Sequence, residues 1–300
     1  MFSPDLLSGQ RILVTGGGTG LGRAMADAFL SLGAEVFICG RRKAVCDATA
    51  AELMQARGGR VHAFGVDIRD AQSVDAMVEE IFEAGPLTAL VNNAAGNFIS
   101  RTEDMSTRGF DAIAGIVLHG SFYVTHAVGR RWAAAAKAQG GWQPGMPMRS
   151  VLSIVTTWVD NGGPYVVPSA MSKAGVAVMT KSLAVEWAKY GVRLNAVGPG
   201  EIPTEGMSKR LNPGEAPGER SKRTNPQGRT GTMDELSRLA TFLLAPGACD
   251  WLTGQVIHMD GGNHLATGGN FYALREWSDV QWDEARARIE AQNRKDREQR

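Results

Sequence analysis

The stretch that decides the fold is Ile12-Leu13-Val14-Thr15-Gly16-Gly17-Gly18-Thr19-Gly20-Leu21-Gly22. Its apolar start predicts a buried strand, and apolar residues recur at helical spacing after the glycines, at positions 21, 25, 29 and 32. When a strand, a glycine-rich turn and a helix follow one another, the N–H groups at the start of the helix can face a phosphate. Glycines in the turn let the backbone approach the phosphate closely. A plain glycine loop is the alternative, because a glycine pattern alone is a weak signal. The flanking strand and helix favour the phosphate site.

Composition bounds the class of protein. The chain has 300 residues, 43% of them hydrophobic, and a net charge of +1, which suits one large α/β domain or two small ones and indicates no nucleic-acid partner. With the motifs described below, we expect a single domain over residues 1–300. Cys39, Cys46 and Cys249 make neither a disulfide framework nor a metal site, so we expect no metal and a cytoplasmic protein with reduced thiols. The first residues lack the features of a secretory signal. The sequence contains no run of 18 apolar residues, so we expect no membrane span.

Short apolar runs alternate with helical patterns along the chain. Further strands are predicted at 35–39, 61–64, 89–91, 150–155, 193–197 and 256–259, and helices at 43–57, 71–84, 107–138, 169–189 and 234–244. This alternation predicts an α/β fold with a doubly wound parallel sheet of about seven strands and helices on both faces. Residues 203–229, polar and interrupted by prolines, are predicted to be a mobile substrate loop. Residues 271–300 are predicted to be a C-terminal extension that ends in a charged helical tail.

The motifs resemble those of the short-chain dehydrogenase/reductase family in order along nearly the whole chain. Thr15 with its following glycines is similar to T-G-x-x-x-G-x-G, Asn92-Asn93-Ala94-Ala95-Gly96 to N-N-A-G, and Pro199-Gly200-Glu201-Ile202-Pro203-Thr204 to P-G-x-x-x-T. The resemblance implies a Rossmann-type fold and a dinucleotide cofactor. The cofactor-binding residues that it implies are Gly16, Gly18, Thr19, Gly20, Leu21, Gly22, Asp67, Ile68, Asn93, Ala94, Ala95, Gly96, Lys173, Pro199, Gly200, Ile202 and Thr204.

The end of the second predicted strand indicates which dinucleotide is bound. An acidic residue there favours NAD, whereas arginine accommodates the 2′-phosphate of NADP. This chain has Arg41 and Arg42 and no acid, which predicts NADP(H) because a guanidinium binds phosphate bidentately. The alternative is that either arginine is a solvated residue at a helix start. Asp67 matches the family residue that accepts a hydrogen bond from adenine, or else is a helix N-cap.

The reaction centre departs from the family pattern. Lys173 stands at the family's lysine position, but Ser169, four residues earlier, replaces the usual tyrosine. A serine hydroxyl is a far weaker acid than a phenol and cannot take over its proton transfer. Thr156 occupies the family's serine position. His119 occupies its asparagine position, where we expect a satisfied core histidine.

A subgroup that lacks this tyrosine, the mitochondrial-type 2,4-dienoyl-CoA reductases, resembles the chain more closely. The similar segments are Asn93 to Ser100, Val166 to Ala170 and a tail that includes Phe271 to Arg275. The resemblance implies reduction of a 2,4-dienoyl-CoA by NADPH in fatty-acid degradation, with Asn97 donating to the thioester oxygen. Trp158 stands where the subgroup has a second donor, a tyrosine, and is either a donor or part of the pocket wall. Tyr165 lies nearby in the sequence. It either compensates for the missing tyrosine donor or only anchors a loop.

Two other functions remain open. In the first, a carbonyl or 3-oxoacyl reductase, Tyr165 would be the acid. In the second, the chain would be a dinucleotide-binding module with little catalytic turnover. Family resemblance also implies a homodimer or homotetramer formed through the fourth and fifth helices. The 169–189 pattern supports this with more apolar residues than one core stripe needs: Val176, Val178, Met179, Leu183 and Trp187.

Overall fold

The computed structural model describes residues 2–204, 216, 218–266 and 272–298. Its strands are β1 (Arg11–Thr15), β2 (Glu35–Gly40), β3 (Val61–Gly65), β4 (Ala89–Asn92), β5 (Arg149–Ile154), β6 (Val192–Pro199) and β7 (Val256–Met259). Its α-helices are α1 (Gly20–Ser31), α2 (Lys43–Arg57), α3 (Ala71–Glu83), α4 (Thr107–Ala114), α5 (Gly120–Ala138), α6 (Trp158–Asn161), α7 (Val167–Glu186), α8 (Glu219–Thr224), α9 (Met233–Leu244), α10 (Asn263–Ala266) and α11 (Asp279–Glu298).

The strands form one parallel sheet in the order β3-β2-β1-β4-β5-β6-β7. The order reverses between β1 and β4, which pair from Ile12 opposite Ala89 to Val14 opposite Val91. Ligands of such sheets bind outside the carboxyl ends of the strands at the reversal. The predicted doubly wound α/β sheet is confirmed, and the reversal places the site at the ends of β1 and β4.

Helices cover both faces of the sheet, because its strands are apolar on both sides. One core lies between the sheet and α1, α2 and α9, and it includes Phe29, Leu53 and Leu243. The other lies under α3, α5 and α7, and it includes Met77 and Trp132. The three cysteines of the chain are free thiols.

The helix predicted over 107–138 contains an irregular turn. Between α4 and α5, Gly115–His119 is π-helical, which widens the turn and changes the direction of the side chains. Leu118 packs toward α7, since a Cβ on Gly175 would lie 2.7 Å from Leu118 Cδ1. His119 is exposed, with its ring centroid 6.1 Å from that of Tyr123. The interpretation of His119 as a core histidine is therefore wrong.

The same run is apolar enough to cross a membrane by length and composition alone. Thr107–Ala138 has a mean hydropathy of 1.3 over its most apolar window, of which 56% is buried inside the fold. Val124, Val128 and Trp132 of α5 lie in the core beneath the sheet. Packing against the sheet accounts for this composition, because core helices pass the same test.

The segment 203–229 is partly helical, which its sequence pattern did not indicate. It contains α8, and residues 205–215 and 217 lie outside the described residues. The Glu201 carboxylate accepts a hydrogen bond from the Ser221 hydroxyl at 2.5 Å and from the Gly218 N–H at 2.9 Å. These bonds fasten α8 to the chain that follows β6.

The C-terminal extension contacts α8. Arg275 donates to the Thr224 carbonyl oxygen at 3.2 Å, and the rings of Trp277 and Trp282 meet edge to face at a centroid distance of 5.1 Å. The predicted helical tail is confirmed as α11, whereas Phe271 lies outside the described residues. The extension therefore reaches the predicted substrate loop.

Candidate active site

The turn between β1 and α1 leaves the start of α1 open to a ligand. The Thr19 side chain makes no capping hydrogen bond to the N–H groups of the helix. Gly16 has a φ of +65°, and a Cβ on Gly22 would lie 2.4 Å from the Gly16 carbonyl oxygen. This tight backbone cradle, with helix N–H groups facing outward, fits the diphosphate of a dinucleotide.

Thr15 joins this turn to the loop after β4. Its hydroxyl oxygen accepts hydrogen bonds from the N–H groups of Asn93 and Ala94, both at 3.0 Å, and donates to the Val91 carbonyl at 3.3 Å. In return, Asn93 Nδ2 donates to the Thr15 carbonyl oxygen at 2.9 Å. The two motifs on either side of the strand reversal therefore form one rigid unit.

The end of β2 carries two exposed arginines. Arg41 and Arg42 follow Gly40 directly. Asp67 binds Arg69, whose Nε lies 3.0 Å from both carboxylate oxygens. The hydrogen bond from Arg69 lowers the pKa of Asp67, and the charge of Arg41 contributes to the same shift. Asp67 remains an ionised acceptor with further lone pairs, and its contact with adenine stays a prediction.

Three predicted cofactor residues face inward. The Ile68 side chain is buried beside Gly120 of α5, where a Cβ would lie 2.6 Å from Ile68 Cδ1. Ile202 is buried in the core under α9, and Leu21 packs against that core. Any contact of the two isoleucines with a cofactor is therefore restricted to their backbone.

Lys173 lies on α7 with its ammonium group inside the fold. The side chain is 7% exposed, and Nζ donates to the carbonyl oxygen of Ile154 at the end of β5. Burial lowers the pKa of Lys173 from 10.5 to about 8, because the charged form loses hydration. Ser169, one turn earlier, is also buried. The α7 helix thus presents a cation at the carboxyl edge, next to a hydroxyl with little solvent access.

Asn97 is a half-buried amide whose orientation is set by its neighbour. The Phe98 N–H donates to Asn97 Oδ1 at 2.9 Å. This bond assigns the oxygen of the amide, so the NH₂ group faces the opposite way. That NH₂ group makes no hydrogen bond within the described part of the chain. Asn97 can therefore donate to a ligand.

Trp158 and Tyr165 lie in the segment between β5 and α7. Trp158 starts α6 and is half-buried, and a Cβ on Gly163 would lie 2.9 Å from its Cγ, so the indole packs against this loop. Tyr165 is 58% exposed and has a φ of +64°, a conformation that is uncommon for a bulky residue. Its carbonyl oxygen accepts the Ser100 N–H at 3.0 Å, which ties this segment to the loop that carries Asn97.

The segment after β6 returns to the phosphate cradle. Gly200 donates its N–H to the Met259 carbonyl at 3.0 Å. Thr204 lies over the glycine turn, since a Cβ on Gly20 would be 3.7 Å from its methyl carbon. Thr156 meets β6 from the other side, since a Cβ on Gly198 would lie 3.2 Å from its carbonyl oxygen. Lys173, Asn97, Thr156 and the predicted motifs are thus brought to one edge of the sheet.

Sequence reasoning missed a polar cluster at this edge. His258 of β7 binds Asp160 of α6, and His264 binds Asp260. Asp260 and His264 are four residues apart. The residues of the first pair are 98 positions apart, so no local pattern could reveal it.

Comparisons with known proteins agree with this geometry. A family model described as enoyl-(acyl carrier protein) reductase matches residues 16–264. The chain is 42% identical over 285 residues to a probable 2,4-dienoyl-CoA reductase 3 [(3E)-enoyl-CoA-producing] of Caenorhabditis elegans, covering 92% of this chain and 88% of that protein. It is 39% identical to a probable 2,4-dienoyl-CoA reductase [(2E)-enoyl-CoA-producing] of Bacillus subtilis, covering 85% and 97%.

Among solved structures, a short chain dehydrogenase from Bacillus anthracis superposes with a TM-score of 0.75 at 35% identity, covering 87% of this chain and 98% of that one. The chain belongs to the short-chain dehydrogenase/reductase family. It is an oxidoreductase of that family, and the family fold supports a nicotinamide dinucleotide as its cofactor. The backbone cradle at the end of β1 has the geometry that the diphosphate of such a cofactor requires.

The buried lysine gives a stability prediction. The unfolded chain keeps the lysine proton up to a pH of about 10.5, whereas the folded protein releases it near 8. The unfolded state therefore binds more protons between these values, and stability contributed by this group rises with pH there. We expect Lys173→Met to be more stable than the wild type at pH 7 by up to about 3 kcal/mol. Urea unfolding at several pH values should show this advantage shrinking toward pH 10, and a constant difference would contradict the assignment.

Proposed function

We propose that the chain is an NADPH-dependent reductase of 2,4-dienoyl-CoA thioesters. The observation that carries this proposal is the NH₂ group of Asn97, which has no hydrogen-bond partner among the described residues and belongs to the same edge of the sheet as Lys173. Ser169 stands one turn before Lys173, where a ketone reductase of this family would have its tyrosine. The relatives named dienoyl-CoA reductases, at 42% and 39% identity, support the same reaction and an acyl-CoA substrate.

The missing tyrosine suits this chemistry. The bound nicotinamide supplies a hydride to the distal carbon of the conjugated thioester. Negative charge then moves to the thioester oxygen, and a preorganised N–H donor stabilises it there. Asn97 is that donor in our proposal. No acid as strong as a phenol is needed, because the proton goes to carbon and can come from water.

Trp158 and Lys173 take separate roles. The indole N–H of Trp158 can donate a hydrogen bond but cannot release its proton, so it serves as a second donor or as the pocket wall. Lys173 is charged below its pKa of about 8 and would hold the nicotinamide ribose. Its bond to the Ile154 carbonyl fixes where that charge lies.

The oxyanion donor can be tested directly. Removing one such donor typically lowers turnover by about 10²- to 10³-fold, so Asn97→Ala should lower kcat on a 2,4-dienoyl-CoA by about that factor. NADPH binding should be unchanged, because Asn97 is assigned to the substrate and is not among the predicted cofactor-binding residues. Steady-state NADPH oxidation with dienoyl-CoA and 3-oxoacyl-CoA substrates measures both activities.

Two variants serve as controls for Asn97. Ser169→Ala should change kcat little, because the hydroxyl has no acid role in this reaction. Tyr165→Phe should also be nearly silent. Loss of activity in Tyr165→Phe with a harmless Asn97→Ala would replace the proposal with a phenol-driven ketone reduction.

NADP(H) is the second part of the proposal. Arg41 and Arg42 are exposed at the end of β2, and this strand ends without the carboxylate that would bind a 2′-hydroxyl. The charge of Arg41 contributes to lowering the pKa of Asp67, so Arg41 lies near the carboxylate that is predicted to bind adenine. Both observations support recognition of a 2′-phosphate.

We expect Arg41→Ala to weaken the binding of NADPH at least about tenfold, because a charge-assisted hydrogen bond to phosphate contributes about 1.5–3 kcal/mol. The binding of NADH, which has no 2′-phosphate, should change little. Fluorescence titration with both cofactors measures the two Kd values. Arg57→Ala, at the far end of α2 and paired with Asp27, is the matched control. Equal losses for NADPH and NADH would remove Arg41 from 2′-phosphate recognition.

We also propose that two or four copies assemble through α7 and α5. Met171, Val178 and Val185 are 56%, 61% and 81% exposed, and their spacing of seven residues puts them on one helix face. Phe122 of α5 is 49% exposed. Of the apolar residues singled out in the sequence, Val178 is the exposed one, whereas Val176 is buried and Met179, Leu183 and Trp187 are partly buried.

This assembly is tested by introducing a charge on the exposed apolar face of α7. Val178→Lys should convert the oligomer to a monomer at micromolar concentration, since a buried ammonium without a partner is costly. Light scattering coupled to size-exclusion chromatography gives the mass. Phe242→Lys, which charges an exposed apolar residue of α9, should leave the mass unchanged. A wild-type monomer would contradict the proposal.

A further inference from the structure

Two histidine–carboxylate pairs lie side by side between α6 and the end of β7. His258 Nε2 donates to Asp160 Oδ2. His264 Nδ1 lies 3.0 Å from both carboxylate oxygens of Asp260. The two imidazole rings are in contact, with centroids 4.2 Å apart. One polar unit thus links α6, β7 and α10.

The Asp260 pair is the fixed half of this unit. The Asp260 side chain is 2% exposed, and its carboxylate accepts the N–H of His264 at 2.7 Å and of Gly262 at 3.0 Å. Its backbone carbonyl accepts Asn225 Nδ2 at 2.7 Å. The His264 ring is therefore anchored to a carboxylate that is itself fixed by backbone hydrogen bonds, and it packs against the ring of His258.

His258 is held as a hydrogen-bond donor through one nitrogen. Its side chain is 11% exposed, and Nδ1 is buried with no hydrogen-bond partner among the described residues. A Cβ on Gly198 would lie 2.9 Å from that atom. A proton on Nδ1 would be buried and unsatisfied, which is costly, so the arrangement favours a proton on Nε2, directed at Asp160.

The α6 helix needs such a partner. It has four residues, none of them fully buried, and the Thr157 side chain makes no capping bond to it. A helix this short is not stable by itself. Asp160 of this helix is bonded to His258 of β7, and Trp158 begins the same helix.

We propose that His258 is a positioning residue, which holds α6 through Asp160 and so fixes the Trp158 indole in the active site. The structural part stands alone, whereas its consequence for turnover rests on the proposed function. Losing this bond frees α6 without removing any group that touches substrate or cofactor.

The structural part is tested by hydrogen–deuterium exchange of the full-length protein with bound NADPH, read in peptides spanning 156–166. His258→Leu should speed exchange in α6 about tenfold, because a lost local tie lets this short element open on its own. His258→Gln should restore protection, since its side-chain amide keeps a donor near the position of Nε2. His62→Leu removes a matched pair, His62 Nε2 to Glu35 Oε1 at 2.8 Å, at the opposite edge of the sheet, and should change nothing in α6.

Turnover tests the positioning role. His258→Leu should lower kcat on a dienoyl-CoA about tenfold, with KM and the Kd of NADPH within about twofold, because it disturbs orientation rather than binding. His258→Gln should recover most of the loss. The effect should vanish in a Trp158→Phe background, because both changes act through the same indole.

Three results would overturn the inference: wild-type exchange of α6 in His258→Leu, no rescue by His258→Gln, or losses that multiply in the double variant. A wild-type protein that leaves dienoyl-CoA unreduced refutes the proposed function instead. The exchange measurements would still decide whether His258 holds α6.

Discussion

Thr15 provides the contact on which the rest of the site depends. Its hydroxyl, 1% exposed, bonds the loop after β4 at the point where the strand order reverses. Hydrogen bonds in such a dry environment are strong, and an unpaired group there is costly. The glycine cradle and the segment leading to Asn97 are therefore fixed relative to each other. A dinucleotide in the cradle would therefore lie beside the segment that binds the substrate in our proposal.

The same edge of the sheet carries the buried ammonium group of Lys173. Lys173 has lost most of its hydration, and the Ile154 carbonyl compensates for part of that loss. A fold keeps such a group only where it is useful, because the neutral alternatives cost less. Ser169 beside it cannot act as a phenol would. The position on α7 that carries the tyrosine in other family members therefore offers no phenol here, which is the reason our proposal relies on N–H donors to stabilise charge.

The loops around the crevice are positioned by individual polar contacts rather than by a large apolar core. Ser100 bonds Tyr165, His258 bonds Asp160, Glu201 bonds Ser221, and Arg275 bonds Thr224. Each contact fastens one loop to a different element. Segments with few buried apolar residues open at low free energy, so single hydrogen bonds decide the geometry of these loops.

The sequence alone determined the sheet, its major helices and the cofactor cradle, because these depend on local periodicity and on glycines at fixed spacing. The Arg41-Arg42 pair and the substitution of Ser169 for tyrosine were likewise visible without a structure. Tertiary packing decided the rest. The π-turn at Gly115–His119 turned His119 to the surface, and the phase of α7 left Val178 exposed while Val176 was buried. The bond from His258 to Asp160 joins residues far apart in the chain, and only the folding of β7 beside α6 brings them together.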